Sequence, residues 1–348
     1  MPFLLSTLFV AHRWRWPWFF VSLVATFGVG FYRQVIIPSD VFFLFSYLGI
    51  GSSALTVLSW FLYGELLRLL GGVKWPSTSS VQPLRALFPF LCGALIGELG
   101  AAALLAPQVS DSKARARVVL SAMAGGLISP VGDANILVMA NAISNMQLYL
   151  IPLGLLSLIV ISPKSSDLPE SNSMHGGIPV ALLLIPIALY FFVPQNAPLI
   201  LLECSFFLAL FAGKRLKNFQ LGSLMWLALL IAMLAVATAG GLPEFIALGS
   251  ENIVLNYAKE LPLMLGVGGA LAGAIVDGSI SAVFVQGFVD RALDLSQPQY
   301  HFALASGFAI GGIFPLVVGR CLKAGLKQHI LLVAIGSLYI WFASTWLF

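Results

Sequence analysis

Apolar stretches long enough to form a membrane-crossing helix recur along this chain from one end to the other. Only 9% of its 348 residues are charged, whereas 59% are hydrophobic. A soluble domain carries roughly 25% charged residues, which keep its surface in contact with water. Most of the surface of this chain must therefore face lipid. The sequence predicts an all-α, polytopic membrane protein.

Hydropathy predicts nine membrane spans and two shorter, glycine-rich insertions. The spans are placed near residues 17–37, 40–63, 118–140, 147–162, 178–194, 198–212, 220–240, 301–320 and 330–348. The insertions, 86–108 and 263–288, are apolar and each carries an acid near its middle, Glu98 and Asp277. We expect both insertions to be re-entrant hairpins, which enter and leave the membrane on one side.

The distribution of basic residues supports this topology. With a cytoplasmic N-terminus, every lysine and arginine except Arg33, Lys259 and Arg291 falls in an inner loop, which is 15 of the 18. If either hairpin crossed the membrane, the loops after it would change sides and this bias would be lost. We therefore expect a cytoplasmic N-terminus, an outer C-terminus and a place in the cell membrane, of the bacterial inner-membrane type.

The predicted layout contains an internal repeat. Spans that start at 17, 40, 118 and 147 recur at 198, 220, 301 and 330, and the crossing at 178–194 inverts the second set. Two sequence echoes agree, GALIGELG (93–100) with GALAGAIVDG (269–278) and SAMAGGLISPVGD (121–133) with SGFAIGGIFPLVVGR (306–320). We assign 1–162 to the first repeat, 163–197 to a linker and connecting helix, and 198–348 to the second repeat. Inverted repeats with broken helices are typical of secondary transporters, whose site lies near the midplane.

The centre of span 118–140 reads Gly-Gly-Leu-Ile-Ser-Pro-Val-Gly-Asp, residues 125–133. Pro130 lacks a backbone donor and disfavours helix at Ser129, so we expect the helix to break here. Asp133 lies at this break and Asn135 follows it. A carboxylate at this depth is costly, which makes Asp133 a functional candidate. The structural alternative is that Asp133 caps the second half-helix.

The two hairpins supply the remaining candidate ligands. Asp277 is followed by Ser279 and Ser281, and Glu98 lies within Gly-Glu-Leu-Gly. Small neighbours would let the backbone approach an ion closely. The alternative for each acid is a solvated hairpin tip. Glu203, on span 198–212, and Arg320, near the second break, are charged residues whose role the sequence leaves open.

Several other functions have no support in the sequence. A GxGD protease element, a GxSG element with a partnering histidine and a phosphate-cradling Walker loop are all missing, so neither an enzyme nor an ATP-driven pump is expected. The histidines lie near span ends or in loops and are expected to be interfacial: His12, His175, His301 and His329. The cysteines are dispersed through apolar segments and are interpreted as packing thiols: Cys92, Cys204 and Cys321.

At its broken helix the chain resembles a known family. AGGLISPVGDA (124–134) is similar to the signature that interrupts a helix in NhaD-type sodium/proton antiporters, members of the ion transporter superfamily. AIVDGSISA (274–282) resembles the second-hairpin element of those proteins. The resemblance implies two inverted repeats, each with a hairpin followed by a discontinuous helix. The Ser-Asn-Thr anion signature of the superfamily is absent from both halves, which argues against a dicarboxylate carrier.

These observations predict a secondary cation transporter that exchanges sodium for protons by alternating access. The expected ligands, with Asp133 and Asp277 as the acids that would hold Na⁺, are Asp133, Asp277, Ser129, Asn135, Ser279, Ser281 and Glu98. Expected partners are a small inorganic cation, protons and the lipid bilayer; no cofactor or nucleic acid is expected, and a homodimer is left open. An arsenite or other anion carrier is the alternative within the superfamily. A passive channel or a non-transporting membrane subunit is the alternative from another class.

Overall fold

The computed structural model describes residues 50–73, 75, 82–129, 146–161, 181–193, 196–225, 227, 228, 231, 261–276, 298–313 and 326–346, together with positions 17, 20, 21 and 24. The described part is almost wholly helical and contains no strand, so the all-α prediction is confirmed there. Its α-helices are α1 Ile50–Leu69, α2 Gln82–Ile96, α3 Glu98–Leu105, α4 Ser112–Gly126, α5 Met146–Ile161, α6 Ala181–Phe192, α7 Ala197–Ala212, α8 Leu261–Val276, α9 Pro298–Gly312 and α10 Leu326–Trp346. Two 3₁₀ helices, Ala106–Gln108 and Gly213–Asn218, follow α3 and α7.

Helices α2 and α3 fold back on each other at Gly97. Trp75 shows this, because its ring lies 5.2 Å from that of Phe88 in α2, while its indole nitrogen donates to Gln108 after α3 at 2.8 Å. If the chain from Phe88 to Gln108 were one straight helix, these residues would lie about 30 Å apart. Both ends of the α2–α3 pair therefore meet at one residue.

Helices α8 and α9 run side by side in the same direction. A Cβ added to Gly266 would lie 3.8 Å from the carbonyl oxygen of Ala303, and one added to Gly273, two turns later, would lie 3.1 Å from the backbone nitrogen of Gly312. Because the contacts advance together along both helices, α9 begins at the same end of the pair as α8. Glycine is needed along this seam, since the two backbones are in contact.

Two helices begin earlier than hydropathy predicts. Helix α4 begins at Ser112 and not near 118, because the Asp111 carboxylate accepts a hydrogen bond of 2.7 Å from the backbone nitrogen of Ala114 and caps it. Helix α10 begins at Leu326 and not near 330. In both cases charged residues lie in the first turns, where helix continues although hydropathy falls.

One helical segment among the described residues, Ala197–Asn218, is long and apolar enough to cross a membrane by length and composition. Shorter apolar helical stretches lie at Ala86–Ile96, Leu148–Ile161, Ala181–Phe192, Leu261–Ala274 and Ile330–Trp346. A shared hydrophobic core contains buried residues from α1 through α10, including Trp60, Leu104, Met123, Phe302 and Ile340.

Candidate functional site

The bend between α2 and α3 buries an acid. Gly97 has φ +79° and ψ 153°, a conformation that suits glycine, and α3 begins directly after it at Glu98. A side chain at position 97 would also lie 2.7 Å from the indole of Trp60. Glu98 is only 1% exposed. Local backbone freedom therefore places a carboxyl group inside the protein, at a point where helix is interrupted.

Aromatic side chains from α1 and α6 surround this bend. The rings of Trp60 and Tyr190 lie 6.2 Å apart, and the Tyr190 hydroxyl donates to Thr56 Oγ1 at 3.5 Å. Gly64 and Gly100 pack so closely that a Cβ on Gly64 would overlap the carbonyl of Gly100. The Trp60 indole N–H is buried and has no hydrogen-bond partner among the residues that the structure describes. The bend thus combines a buried acid with an available donor.

Helix α4 ends at a double glycine, as the break predicted near residues 125–133 requires. After Gly126 the chain turns, and the backbone nitrogens of Leu127 and Ile128 donate to carbonyls three residues earlier, both at 3.3 Å. Ser129, a predicted ligand, follows this turn and is 4% exposed. Bonds to the carbonyl three residues earlier therefore replace the α-helical bonds at the end of α4.

Helix α9 ends in the same way, at Gly311 and Gly312. Ile313 follows, and its backbone nitrogen donates to Ile310 at 3.4 Å. We refer to Gly125–Gly126 and Gly311–Gly312 as the two double-glycine ends. They occupy the equivalent positions of the sequence echo between 121–133 and 306–320.

The two double-glycine ends meet at α5 and α10. Next to the first end, Ile128 lies against Gly154 of α5, so closely that a Cβ on the glycine would overlap it. At the second end, the neighbouring glycine is Gly336 of α10. A Cβ added to Gly336 would lie 2.7 Å from Ile310 and 3.6 Å from Leu153 of α5. Leu153 and Gly154 are consecutive, so one turn of α5 contacts the first end directly and the second end through Gly336 of α10.

A hydrogen bond and a ring contact hold α5 at this junction. The Tyr339 hydroxyl of α10 donates to the carbonyl oxygen of Tyr149 at 2.7 Å. The ring of Tyr149 in turn lies edge-on to Phe302 of α9, with ring centres 6.1 Å apart. Helix α5, from the first predicted repeat, is therefore fixed against two helices of the second.

Only part of the predicted ligand set falls within the described residues. Glu98 and Ser129 are both buried, on the packed group formed by α2, α3 and α4. The other predicted ligands lie outside the described residues: Asp133, Asn135, Asp277, Ser279 and Ser281. Arg320 also lies outside them, whereas Glu203 is described and exposed on α7. Whether Asp133 and Asp277 approach each other stays a prediction.

His301, one of the histidines predicted to be interfacial, lies among the described residues. It is 5% exposed within α9, so it is packed inside the protein, and its position at a membrane interface stays a prediction. It lies close to the predicted end of a span, but α9 begins at Pro298 and its first turns are enclosed by other helices. Cys92 and Cys204 are free thiols, and Cys92 is buried in the core.

Sequence reasoning missed a buried ion pair at the end of α1. The Glu65 side chain is 0% exposed and accepts bonds of 2.6 and 2.8 Å from Arg68. Glu65 also accepts from the backbone nitrogen of Gln220 at 3.0 Å, and Arg68 donates to the carbonyl oxygen of Asn218 at 2.9 Å. The spacing of three residues on one helix is a recognised signal for such a pair. The long-range bonds join α1 to the segment after α7.

The described residues contain no group of three or more His, Cys, Asp or Glu side chains that could hold a metal ion. The predicted oxygen ligands that lie within the described residues are Glu98 and Ser129. No protein-family model matches the chain, and no curated protein matches it.

Proposed function

We propose that this chain is a secondary active transporter that exchanges sodium for protons by alternating access. One observation carries the proposal. Each predicted half contains a helix that ends at a double glycine, and an isoleucine within two residues of that end packs on a glycine of a later helix: Ile128, after Gly126, on Gly154 and Ile310, before Gly311, on Gly336. This correspondence supports two related halves, each with a discontinuous helix, which is a common architecture of secondary transporters.

Exposed aromatic residues support a position in the membrane. Phe191 and Phe192 at the end of α6 are 68% and 84% exposed, and Phe206 and Phe211 on α7 are 65% and 80% exposed. Exposing many large apolar side chains to water is unfavourable, whereas lipid would cover them without cost.

The packing of two helix pairs supports the proposed re-entrant hairpins. Helices α2 and α3 both return to Trp75, which is the folded-back shape that a re-entrant hairpin requires. Helices α8 and α9 begin at the same end of their pair, which suits a second hairpin in the segment that connects them. If the halves are inverted, the first pair opens to the cytoplasm and the second to the outside.

The chemistry at these breaks favours a hard cation. Glu98, Ser129 and backbone carbonyls are oxygen ligands, which small hard cations prefer. Asp133 and Asp277 would add two carboxylates that bind either the cation or protons. Several carboxylates in a region of low dielectric cannot all stay ionised without a counter-charge, because like charges raise one another's proton affinity. Competition of protons and cation for the same oxygens would then couple their fluxes.

Flux measurements in proteoliposomes test the proposal. The purified protein is exposed to an imposed pH gradient with Li⁺, Na⁺ or K⁺, and proton movement is followed with a pH-sensitive dye. We expect saturable, cation-dependent proton flux that Asp133→Asn and Asp277→Asn abolish, while Glu203→Gln, at an exposed acid, leaves it unchanged.

Three results would reject this function. A current that scales with voltage without saturation would indicate a channel, and flux of an oxyanion without cation dependence would indicate an anion carrier. No flux of any tested ion by a folded protein would indicate a non-transporting subunit.

A further inference from the structure

Two serine hydroxyls, on the two helices that end at a double glycine, are buried and have no hydrogen-bond partner within the part of the chain that the structure describes. Ser121 on α4 and Ser306 on α9 are each 0% exposed, and neither hydroxyl has a hydrogen-bond partner among the described residues. Leaving a buried hydroxyl unpaired is costly, so each such group calls for an explanation such as an ordered water or an ion.

Some other buried serines in this protein donate a hydrogen bond within their own helix. Ser157, Ser205 and Ser344 each donate to the carbonyl four residues earlier in their own helix, at 2.7, 2.8 and 2.6 Å. Any helical serine can turn toward that carbonyl. Ser121 and Ser306 do not make this bond, and neither does Ser337 of α10, whose buried hydroxyl also has no partner among the described residues. Ser121 and Ser306 are the two of these three that lie on helices ending at a double glycine.

Each serine lies beside a close helix crossing. Ser121 comes directly before Ala122, whose carbonyl a Cβ on Gly93 would overlap, and Ser306 comes directly before Gly307, where a Cβ would overlap the Gly266 carbonyl. Successive helix residues do not face the same neighbour, so each serine borders the crossing rather than filling it. Ser121 lies about 6 Å along its helix from Gly125, and Ser306 about 7.5 Å from Gly311.

We propose that the hydroxyls of Ser121 and Ser306 are ligands of the transported cation and its water, one on each access path to the double-glycine ends. This inference rests on the proposed transport function and assigns two residues to it. A hydroxyl offers two acceptor lone pairs, which suit a hard cation, and a donor for its water. Because the halves are inverted in that proposal, Ser121 serves the cytoplasmic path and Ser306 the outer path.

Sided flux assays test the assignment. Ser121→Ala and Ser306→Ala are reconstituted in oriented vesicles, and the cation concentration for half-maximal flux is measured from each side. Loss of one hydroxyl ligand should raise it roughly three- to tenfold. We expect the increase on the cytoplasmic side for Ser121→Ala and on the outer side for Ser306→Ala. Ser157→Ala, at a serine with its own helix carbonyl, should leave both values unchanged.

Thermal stability separates ligand binding from a structural role. Replacing an unpaired hydroxyl by a methyl group should leave the melting temperature in detergent unchanged or raise it, whereas Ser157→Ala should lower it. If an alanine variant does not fold, the corresponding cysteine variant is used in its place, Ser121→Cys or Ser306→Cys. The cysteine variants are made in a chain whose three native cysteines have been removed. Silver ion added in water should modify each introduced thiol, and the transported cation should slow this reaction.

The outcomes distinguish a failure of the ligand assignment from a failure of the proposed transport function. Unchanged half-maximal concentrations in both alanine variants, with normal cation-dependent flux in the wild type, would overturn the ligand assignment and leave the transport function standing. So would melting temperatures that fall as far as that of Ser157→Ala. Absence of cation-dependent flux in the wild type would reject the transport function itself, and this assignment with it.

Discussion

The indole nitrogen of Trp75 donates a hydrogen bond of 2.8 Å to the side-chain oxygen of Gln108. These residues lie 33 positions apart in the sequence, on either side of the α2–α3 pair. The Gln108 side chain donates in turn to the carbonyl oxygen of Leu104 at 2.9 Å, which joins the bond to the last turn of α3. One side-chain contact therefore closes the folded-back pair that carries Glu98 at its bend.

We predict that this bond stabilises the closed pair by about 1 kcal/mol. Trp75→Phe keeps an aromatic ring but removes the donor, and Gln108→Leu removes the acceptor. Each variant should lower the free energy of unfolding in detergent, and the double variant should lose less than the sum. The interaction energy from this double-mutant cycle is the measurement. Additive losses, with no interaction energy, would contradict the prediction.

Neighbouring glycines on α8 should respond in opposite ways to alanine. A Cβ on Gly269 would lie 2.8 Å from the Leu304 carbonyl oxygen and 3.1 Å from the backbone nitrogen of Phe308. A Cβ on Gly268 would meet nothing within 4 Å. Gly269→Ala should therefore cost about 1–3 kcal/mol through overpacking, whereas Gly268→Ala should gain about 0.5–1 kcal/mol from helix propensity. Melting temperatures in detergent that shift alike would show that α8 and α9 do not pack through this seam.

The Glu65–Arg68 pair should stabilise the contact between α1 and the segment after α7. Glu65→Gln keeps the shape of the side chain but removes its charge, so the bonds from Arg68 become weaker. Because the Arg68 side chain is 18% exposed and can still contact water, the expected loss is moderate, about 1.5–3 kcal/mol. The free energy of unfolding is compared for Glu65→Gln, Arg68→Gln and the double variant. A double variant as unstable as both losses together would argue against a coupled pair.

Local features of the fold could be predicted from the sequence. Ser129-Pro130 after two glycines predicts the end of α4, because proline and glycine act within a few residues of themselves. The interruption beside Glu98 was likewise anticipated from glycines around an acid. The first residues of α4 and α10 were misplaced, because hydropathy reports contact with lipid and not helix. Lys113 and Arg115 lower the hydropathy of the first turns of α4, which are nonetheless helical.

Features that depend on which helices adjoin could not be predicted. Glu65 accepts from Gln220, which lies 155 positions away. The contact of Gly336 with Leu153 likewise joins the two predicted repeats. Nothing near either residue in the sequence specifies its partner, because many apolar helices could supply one. The unpaired hydroxyls of Ser121 and Ser306 were also unpredictable, since a serine in an apolar helix usually bonds to its own backbone.

The last prediction concerns Glu98, the candidate acid that the described residues place at a helix break. If its carboxylate is a cation ligand, Glu98→Gln should weaken the apparent affinity for the cation. Loss of one charged contact is worth about 1.5–3 kcal/mol, or roughly 10- to 150-fold in concentration. The matched control is Glu203→Gln, because Glu203 is an exposed acid on α7. Glutamine has the size of glutamate, so the variant should fold, which size-exclusion chromatography and the melting temperature can establish. Flux that saturates at the wild-type cation concentration in a folded Glu98→Gln variant would show that this acid has a structural role at the bend and is not a ligand.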